Sequence, residues 1–92
     1  MDTGKPPVLM YARSGCGYCS RARQLLGGKG VAYTEIDVET VGGARQEMQR
    51  RSGRNTVPQI FVGDRHLGGF DDLKRLDASG ELDPILAAGS VA

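Results

Sequence analysis

Arg13-Ser14-Gly15-Cys16-Gly17-Tyr18-Cys19-Ser20-Arg21 holds both cysteines of the chain, spaced C-x-x-C. A short apolar run, Val8-Leu9-Met10-Tyr11-Ala12, leads into it, and a segment of helical periodicity leads out. A cysteine pair between a strand and a helix points to redox chemistry. Unpaired backbone N–H groups and the positive end of the dipole sit at the first turn of a helix, and both favour an anion. Cys16 is therefore biased toward thiolate, and Arg13 adds a cation three residues before it. Cys19 falls near the same helix face, within reach of a disulfide. The pair has the makings of a nucleophile with a resolving partner.

Two other uses of the pair fit less well. A structural zinc site needs four ligands, whereas the chain has two cysteines and one histidine, His66, far downstream. A static disulfide staple belongs to small secreted domains, which carry more cysteines and a signal peptide. The opening Met1-Asp2-Thr3-Gly4-Lys5-Pro6-Pro7 has neither an apolar signal core nor an Arg-rich amphipathic pattern. The expected setting is a reducing cytoplasm.

Outward from the cysteines, Val8 to Ala12 reads as a central strand covered on both faces. Ala22, Leu25 and Leu26 fall on the inner side of a helix, with Arg21, Arg23 and Gln24 on the wet side and Gly27-Gly28 at its end. Ala32 to Val38 alternates as a half-buried edge strand does, so the two strands and their helix form a parallel, right-handed unit. Val41, Ala44 and Met48 mark a second helix, ending near Ser52-Gly53. Gln59-Ile60-Phe61-Val62 and Arg65-His66-Leu67 flank Gly63-Asp64 as an antiparallel hairpin, with His66 turned to water. Past Gly68-Gly69, residues Phe70, Leu73 and Leu76 set out a third helix, with Asp71 and Asp72 in its first turn. Asp83 as N-cap and Pro84 at the first helical position open a short last helix. Tyr11, Leu25, Ile60 and Phe61 are core candidates.

The expectation is an α/β fold: a four-stranded mixed sheet in the order β-α-β-α-β-β-α with helices on both faces, resembling the thioredoxin-like architecture. Ninety-two residues make one domain, read as 1–92 with flexible ends at 1–7 and 88–92. With 39% hydrophobic and 25% charged residues, the composition is that of a folded soluble domain. A net charge of +1 argues against nucleic acid as main partner and gives no reason to invoke a membrane.

Three motifs together are more specific than any one of them. Cys16-Gly17-Tyr18-Cys19, Thr56-Val57-Pro58 and Gly68-Gly69-Phe70-Asp71-Asp72 make the chain resemble a dithiol glutaredoxin over residues 8–87. Arg51-Ser52-Gly53-Arg54 and Leu82-Asp83-Pro84 bring it nearest the small bacterial type. The resemblance implies glutathione-dependent disulfide reduction, with Cys16 as nucleophile and Cys19 as resolving thiol. It implies glutathione mixed disulfides and disulfide-bonded proteins as substrates of a monomeric enzyme. It also implies a cis bond before Pro58 and a backbone pairing of glutathione with Val57. Arg13 and Arg45 match positions that meet the glycine carboxylate of glutathione. The N–H groups of Phe70 and Asp71, after Gly69, suit the γ-glutamyl carboxylate. The Asp71 carboxylate, ahead of Asp72, suits the γ-glutamyl ammonium. Thr56 belongs to the same wall, and Tyr18 packs beside the glutathione sulfur. Glycine at 17 stands where the commonest family motif has proline, and so adds an N–H near Cys16. Some relatives with a small residue there hold a [2Fe–2S] cluster between two subunits, with glutathione thiolates as the other ligands. The alternative function is such a cluster dimer, with Cys16 as the metal ligand of each chain.

Overall fold

The structure is a computed structural model that describes residues 7–89. The stretches 1–6 and 90–92, the greater part of the two expected flexible ends, lie outside the described residues. The elements follow the expected order. They are β1 (Val8–Ala12), α1 (Gly17–Gly28), β2 (Thr34–Asp37), α2 (Ala44–Ser52), β3 (Gln59–Val62), β4 (Arg65–Gly68), α3 (Phe70–Ala78) and a terminal α4 (Leu82–Gly89). The sheet order is β2-β1-β3-β4. The apolar run at 8–12 takes an inner position, parallel to β2 and antiparallel to β3. At the ends described, the Pro7 carbonyl accepts from the Gly63 N–H at 2.8 Å, and α4 runs through Gly89.

Alternation along the strands sorts side chains onto two faces. Val8, Met10, Ile60 and Val62 meet Cys19, Ala22 and Leu26 of α1, Leu73 of α3, and Leu82 and Leu86 of α4. On the other face Tyr11 and Phe61 meet Val38 and the Ala44 and Met48 side of α2. Tyr11 and Phe61 pack edge to face, with ring centres 5.8 Å apart. The Tyr11 hydroxyl donates to Glu47 at 2.6 Å and accepts from Arg51 at 3.1 Å. Arg51 lies 4.2 Å from the Phe61 ring centre. The base of this second core is thus tied to α2 by polar groups as well as by apolar area.

The chain departs from the sequence reading in several places. Val41 is half exposed and lies before α2, because the helix starts only after Gly43 at φ 79°. Such a left-handed residue, easy for glycine, turns the chain before the first helical turn. Helix α1 ends at Gly28, as expected, and Lys29 is its C-cap. Lys29 also bridges Asp77 and Asp83 at 2.7 and 2.8 Å. Helix α4 begins at Leu82, one position before the expected cap Asp83, and Leu82 is wholly buried. His66 is half-buried: its ring stacks on Phe61 and its Nε2 lies 2.6 Å from Gln59 Oε1. Leu25 is half-buried rather than fully internal, and Arg23 makes a bidentate pair with Glu35 at 2.8–3.1 Å.

Candidate functional site

Cys16 is the N-cap of α1, with extended backbone at φ −96° and ψ 115°. Its sulfur accepts from the Cys19 N–H at 3.2 Å. A cysteine can therefore do what serine or aspartate does at a helix start, and its sulfur gains most from those N–H groups as an anion. Burial pushes the Cys16 thiol up, but the Cys19 thiol and N–H, the charge of Arg13 and the Tyr18 N–H outweigh it, so the thiol titrates below its ordinary value. Cys19 lies on the inner face of α1 and is fully buried. Burial, then the neighbouring Cys16, push the Cys19 thiol up to about 11. The pair is reduced, both cysteines being free. One thiol is poised to attack, and the other holds its proton and can give it a hydrogen bond.

Opposite the thiols runs the segment Thr56-Val57-Pro58, with a cis bond before Pro58. The Val57 carbonyl lies 3.9 Å from the Cys16 sulfur, within reach of a weak S–H donor. Beside it, the start of α3 presses close. A Cβ placed on Gly69 would lie 3.2 Å from the Pro58 carbonyl oxygen. One position earlier, Gly68 has φ 115°, and a Cβ there would overlap the Asp72 carboxylate. Glycine at 68 is required both by that backbone and by that contact.

These three segments enclose a cleft of about 340 Å³ lined by Tyr18, Thr56, Val57, Pro58, Gly69, Phe70, Asp71 and Asp72, with Arg54 and Gln59. Eight of the ten binding residues expected from the sequence are thereby brought together. Tyr18 is the exposed lip: it packs against Phe70 with ring centres 6.3 Å apart, and Arg21 sits 5.4 Å from its ring. Asp71 is exposed at the first turn of α3, where backbone N–H groups and the dipole point into the cleft wall. Asp72 is engaged within the protein, accepting from Arg54 at 2.9 Å, the Gly69 N–H at 3.0 Å and Arg75 at 3.0 Å. The Arg54 guanidinium, with the Gly69 N–H and Arg75, holds its carboxyl down at about 2.

The other two expected residues do not line the cleft. Arg13 stands by the entry to α1, its charge felt at Cys16, and its guanidinium reaches the Ser14 carbonyl at 3.4 Å. Arg45 lies on the exposed side of α2 and donates to Asn55 at 3.2 Å. Two lining residues escaped the sequence reading. Arg54 immediately precedes Asn55-Thr56-Val57-Pro58, and that position was its signal. Gln59 follows Pro58 and opens a strand of otherwise apolar residues, so a wholly buried amide there asks for partners. It has them: its Nε2 donates to the Thr56 carbonyl at 3.0 Å and to Thr56 Oγ1 at 3.2 Å.

Comparison with known proteins agrees with this geometry. Residues 8–67 match the family model of glutaredoxin. Glutaredoxin 3 of Escherichia coli (strain K12) is 51% identical over 79 residues, 86% of this chain and 95% of that protein. The solution structure of glutaredoxin from Brucella melitensis superposes with a TM-score of 0.80 at 48% identity, covering 99% of this chain and 100% of that one. The crystal structure of the buckwheat glutaredoxin–glutathione complex superposes with a TM-score of 0.86 at 30% identity, covering 95% and 83% of the two chains.

Proposed function

The chain belongs to the glutaredoxin family and is a glutathione-dependent thiol–disulfide oxidoreductase; we propose that Cys16 is its nucleophile, Cys19 its resolving thiol and the Tyr18–Thr56–Phe70 cleft its glutathione site. The observation that carries this reading is the contrast within one pair. Cys16 sits on backbone N–H groups with its thiol lowered, while Cys19 is buried with its thiol raised to about 11. In thiol–disulfide exchange the thiolate attacks, and it must be reachable.

With a glutathione mixed disulfide, the Cys16 thiolate attacks the glutathione sulfur. A bond forms between Cys16 and glutathione, and the substrate sulfur leaves with the electron pair and takes a proton. A second glutathione thiolate attacks the bound glutathione sulfur, releasing glutathione disulfide and restoring the Cys16 thiolate. With a protein disulfide, Cys16 forms a mixed disulfide with the substrate. Cys19 then loses its proton and attacks the Cys16 sulfur, freeing the second substrate thiol. Two glutathiones reduce the resulting Cys16–Cys19 disulfide.

The cleft suits the ends of glutathione. The first turn of α3 offers N–H groups to a carboxylate, and the exposed Asp71 offers a carboxylate to an ammonium. Asp72 is already committed to Arg54, Arg75 and the Gly69 N–H, which favours Asp71 for that role. Arg13, outside the cleft wall, acts on the Cys16 charge, and Arg45 on α2 is bonded to Asn55. Cys16→Ser should abolish turnover of a small glutathione mixed disulfide, and Cys19→Ser should retain much of it. Equal loss in both variants would defeat the monothiol route. The working compartment we infer is the reducing cytoplasm, where a pair like this stays available for exchange.

A [2Fe–2S] cluster dimer is the second reading. Such a cluster takes four thiolates, and each chain has a single cysteine with any exposure, Cys16 at 9%, since Cys19 is sealed in the core. No group of three or more potential ligands occurs among the described residues. The donor set fits a cluster only when two chains each give Cys16 and two glutathiones complete it. Nothing within 4 Å would meet a Cβ at Gly17, so Gly17→Pro is a suitable probe. Anaerobic reconstitution with iron, sulfide and glutathione should give a coloured dimer that Gly17→Pro weakens. A colourless wild-type monomer would refute it.

A further inference from the structure

We propose that Gln59 and His66 are positioning residues for the glutathione cleft: His66 sets the amide of Gln59, and Gln59 in turn holds Thr56 in the cleft wall. This deepens the function proposed above and rests on the cleft being the glutathione site.

The two residues form a relay across the hairpin of β3 and β4. Gln59 is 1% exposed, so its amide must find partners inside the protein. Its Nε2 has two hydrogens and two acceptors, the Thr56 carbonyl and the Thr56 hydroxyl oxygen. With the amide group so placed, Oε1 faces His66 Nε2 at 2.6 Å. An amide turned the other way would set Oε1 against the Thr56 carbonyl, two acceptors with no proton between them. Gln59 Oε1 therefore accepts, and His66 Nε2 must carry the hydrogen.

The imidazole is itself held in place. Its ring stacks on Phe61 with centres 4.8 Å apart at 30°, and Phe61 is locked between Tyr11 and Arg51. The order runs from the rigid second core through His66 and Gln59 to Thr56, which is exposed and lines the cleft. The chemistry at the end of the relay is specific. Since Thr56 Oγ1 accepts from Gln59, its own hydrogen is left to donate, and the acceptor it faces is a ligand carbonyl or carboxylate in the cleft. Neither Gln59 nor His66 touches the reacting sulfur, so their effect falls on binding and not on the thiolate.

The test uses the full chain and the mixed disulfide of glutathione with 2-mercaptoethanol. His66→Phe keeps the ring that stacks on Phe61 and removes only the donor. It should raise KM about 3- to 10-fold, as expected for one hydrogen bond to a buried amide. The kcat and the alkylation rate of Cys16 should stay within about 2-fold. His66→Gln, which returns an N–H donor, should restore KM to within about 2-fold. Gln59→Glu, ionised and unable to donate to Thr56, should raise KM at least as much as His66→Phe. An unchanged KM in His66→Phe would overturn the proposal. So would a KM that His66→Gln does not rescue, or a parallel loss of Cys16 reactivity, which would mark a general structural defect. Nitrogen NMR of the His66 ring decides independently of turnover. The Nε2–H form is expected, and the Nδ1–H form would overturn the relay. A wild-type protein with no glutathione turnover would defeat the proposed function, while the ring measurement would still decide the relay.

Discussion

Replacing Asp72 with asparagine isolates the charge that joins α3 to the cleft. Asparagine keeps the size of the side chain and an oxygen for the Gly69 N–H, but it gives up the attraction to Arg54 and Arg75. In the folded chain the carboxyl is held at about 2 against an ordinary 3.8. At about 1.36 kcal/mol per tenfold change in proton affinity, that difference corresponds to roughly 2.4 kcal/mol. Solvent reduces it, because the Arg54 and Arg75 side chains are 48% and 70% exposed. A net cost of about 1 kcal/mol is the expectation for partly screened pairs. The folded value lies below the unfolded one, so the contribution is complete above about 3.8 and is lost as pH falls through about 2. Urea unfolding of the wild type and Asp72→Asn should therefore differ by about 1 kcal/mol at neutral pH. The gap should narrow between pH 4 and pH 2 and close below that. A gap that survives undiminished in acid would show that the charge is not its source. A gap below about 0.3 kcal/mol at neutral pH, less than an exposed helix pair contributes, would refute the estimate.

Alkylation of the reduced protein against pH should give a Cys16 midpoint below the ordinary 9.0, with Cys19 in a Cys16→Ser background still held above 9.0 by burial but lower than with the Cys16 thiol beside it; a Cys16 midpoint at or above 9.0 would remove the thiolate argument. Gly68→Ala forces a methyl group into the Asp72 carboxylate at φ 115° and should cost about 2 kcal/mol or more in urea unfolding, more than the local strain of a left-handed residue alone. A variant as stable as the wild type would contradict that packing. Met48→Ala, at a wholly buried position on the inner face of α2, should cost about 2–5 kcal/mol while leaving the pH profile of Cys16 alkylation in place, and a shifted profile would show that the two faces of the sheet are coupled.

Much of this was legible from residue order. The apolar run before the cysteines, the turn at Gly63-Asp64 and the first-turn acids of α3 each reflect local chemistry, and all took the expected form. What escaped depended on partners distant in the chain. Val41 looks like the first inward residue of a helix, but Gly43 turns the backbone before the helix can begin. Gly27 and Gly28 end α1 as they should, but nothing local shows that the Lys29 cap is tied to Asp77 and Asp83. Arg54 looks like one more solvated cation until α3 brings Asp72 to it across eighteen positions. Gln59 and His66 look like polar residues on a hairpin, and only the pairing of Phe61 with His66 brings them into one relay. Arg13 and Arg45 came from the resemblance alone, which matches them to positions that meet the glycine carboxylate of glutathione; neither is among the residues that line the cleft.

The burial of Cys19 makes the protein its own reporter of opening. A bulky thiol reagent offered to the native chain meets one sulfur, and offered to the unfolded chain it meets two. The second modification waits for α1 to lift from the sheet, so its rate counts those excursions. When reclosing is fast, that rate reads the free energy of lifting; when the reagent outpaces reclosing, it reads how often the helix leaves. Without an added dye or tag, the core thiol thus gives a clock for the motions of the element that carries the nucleophile.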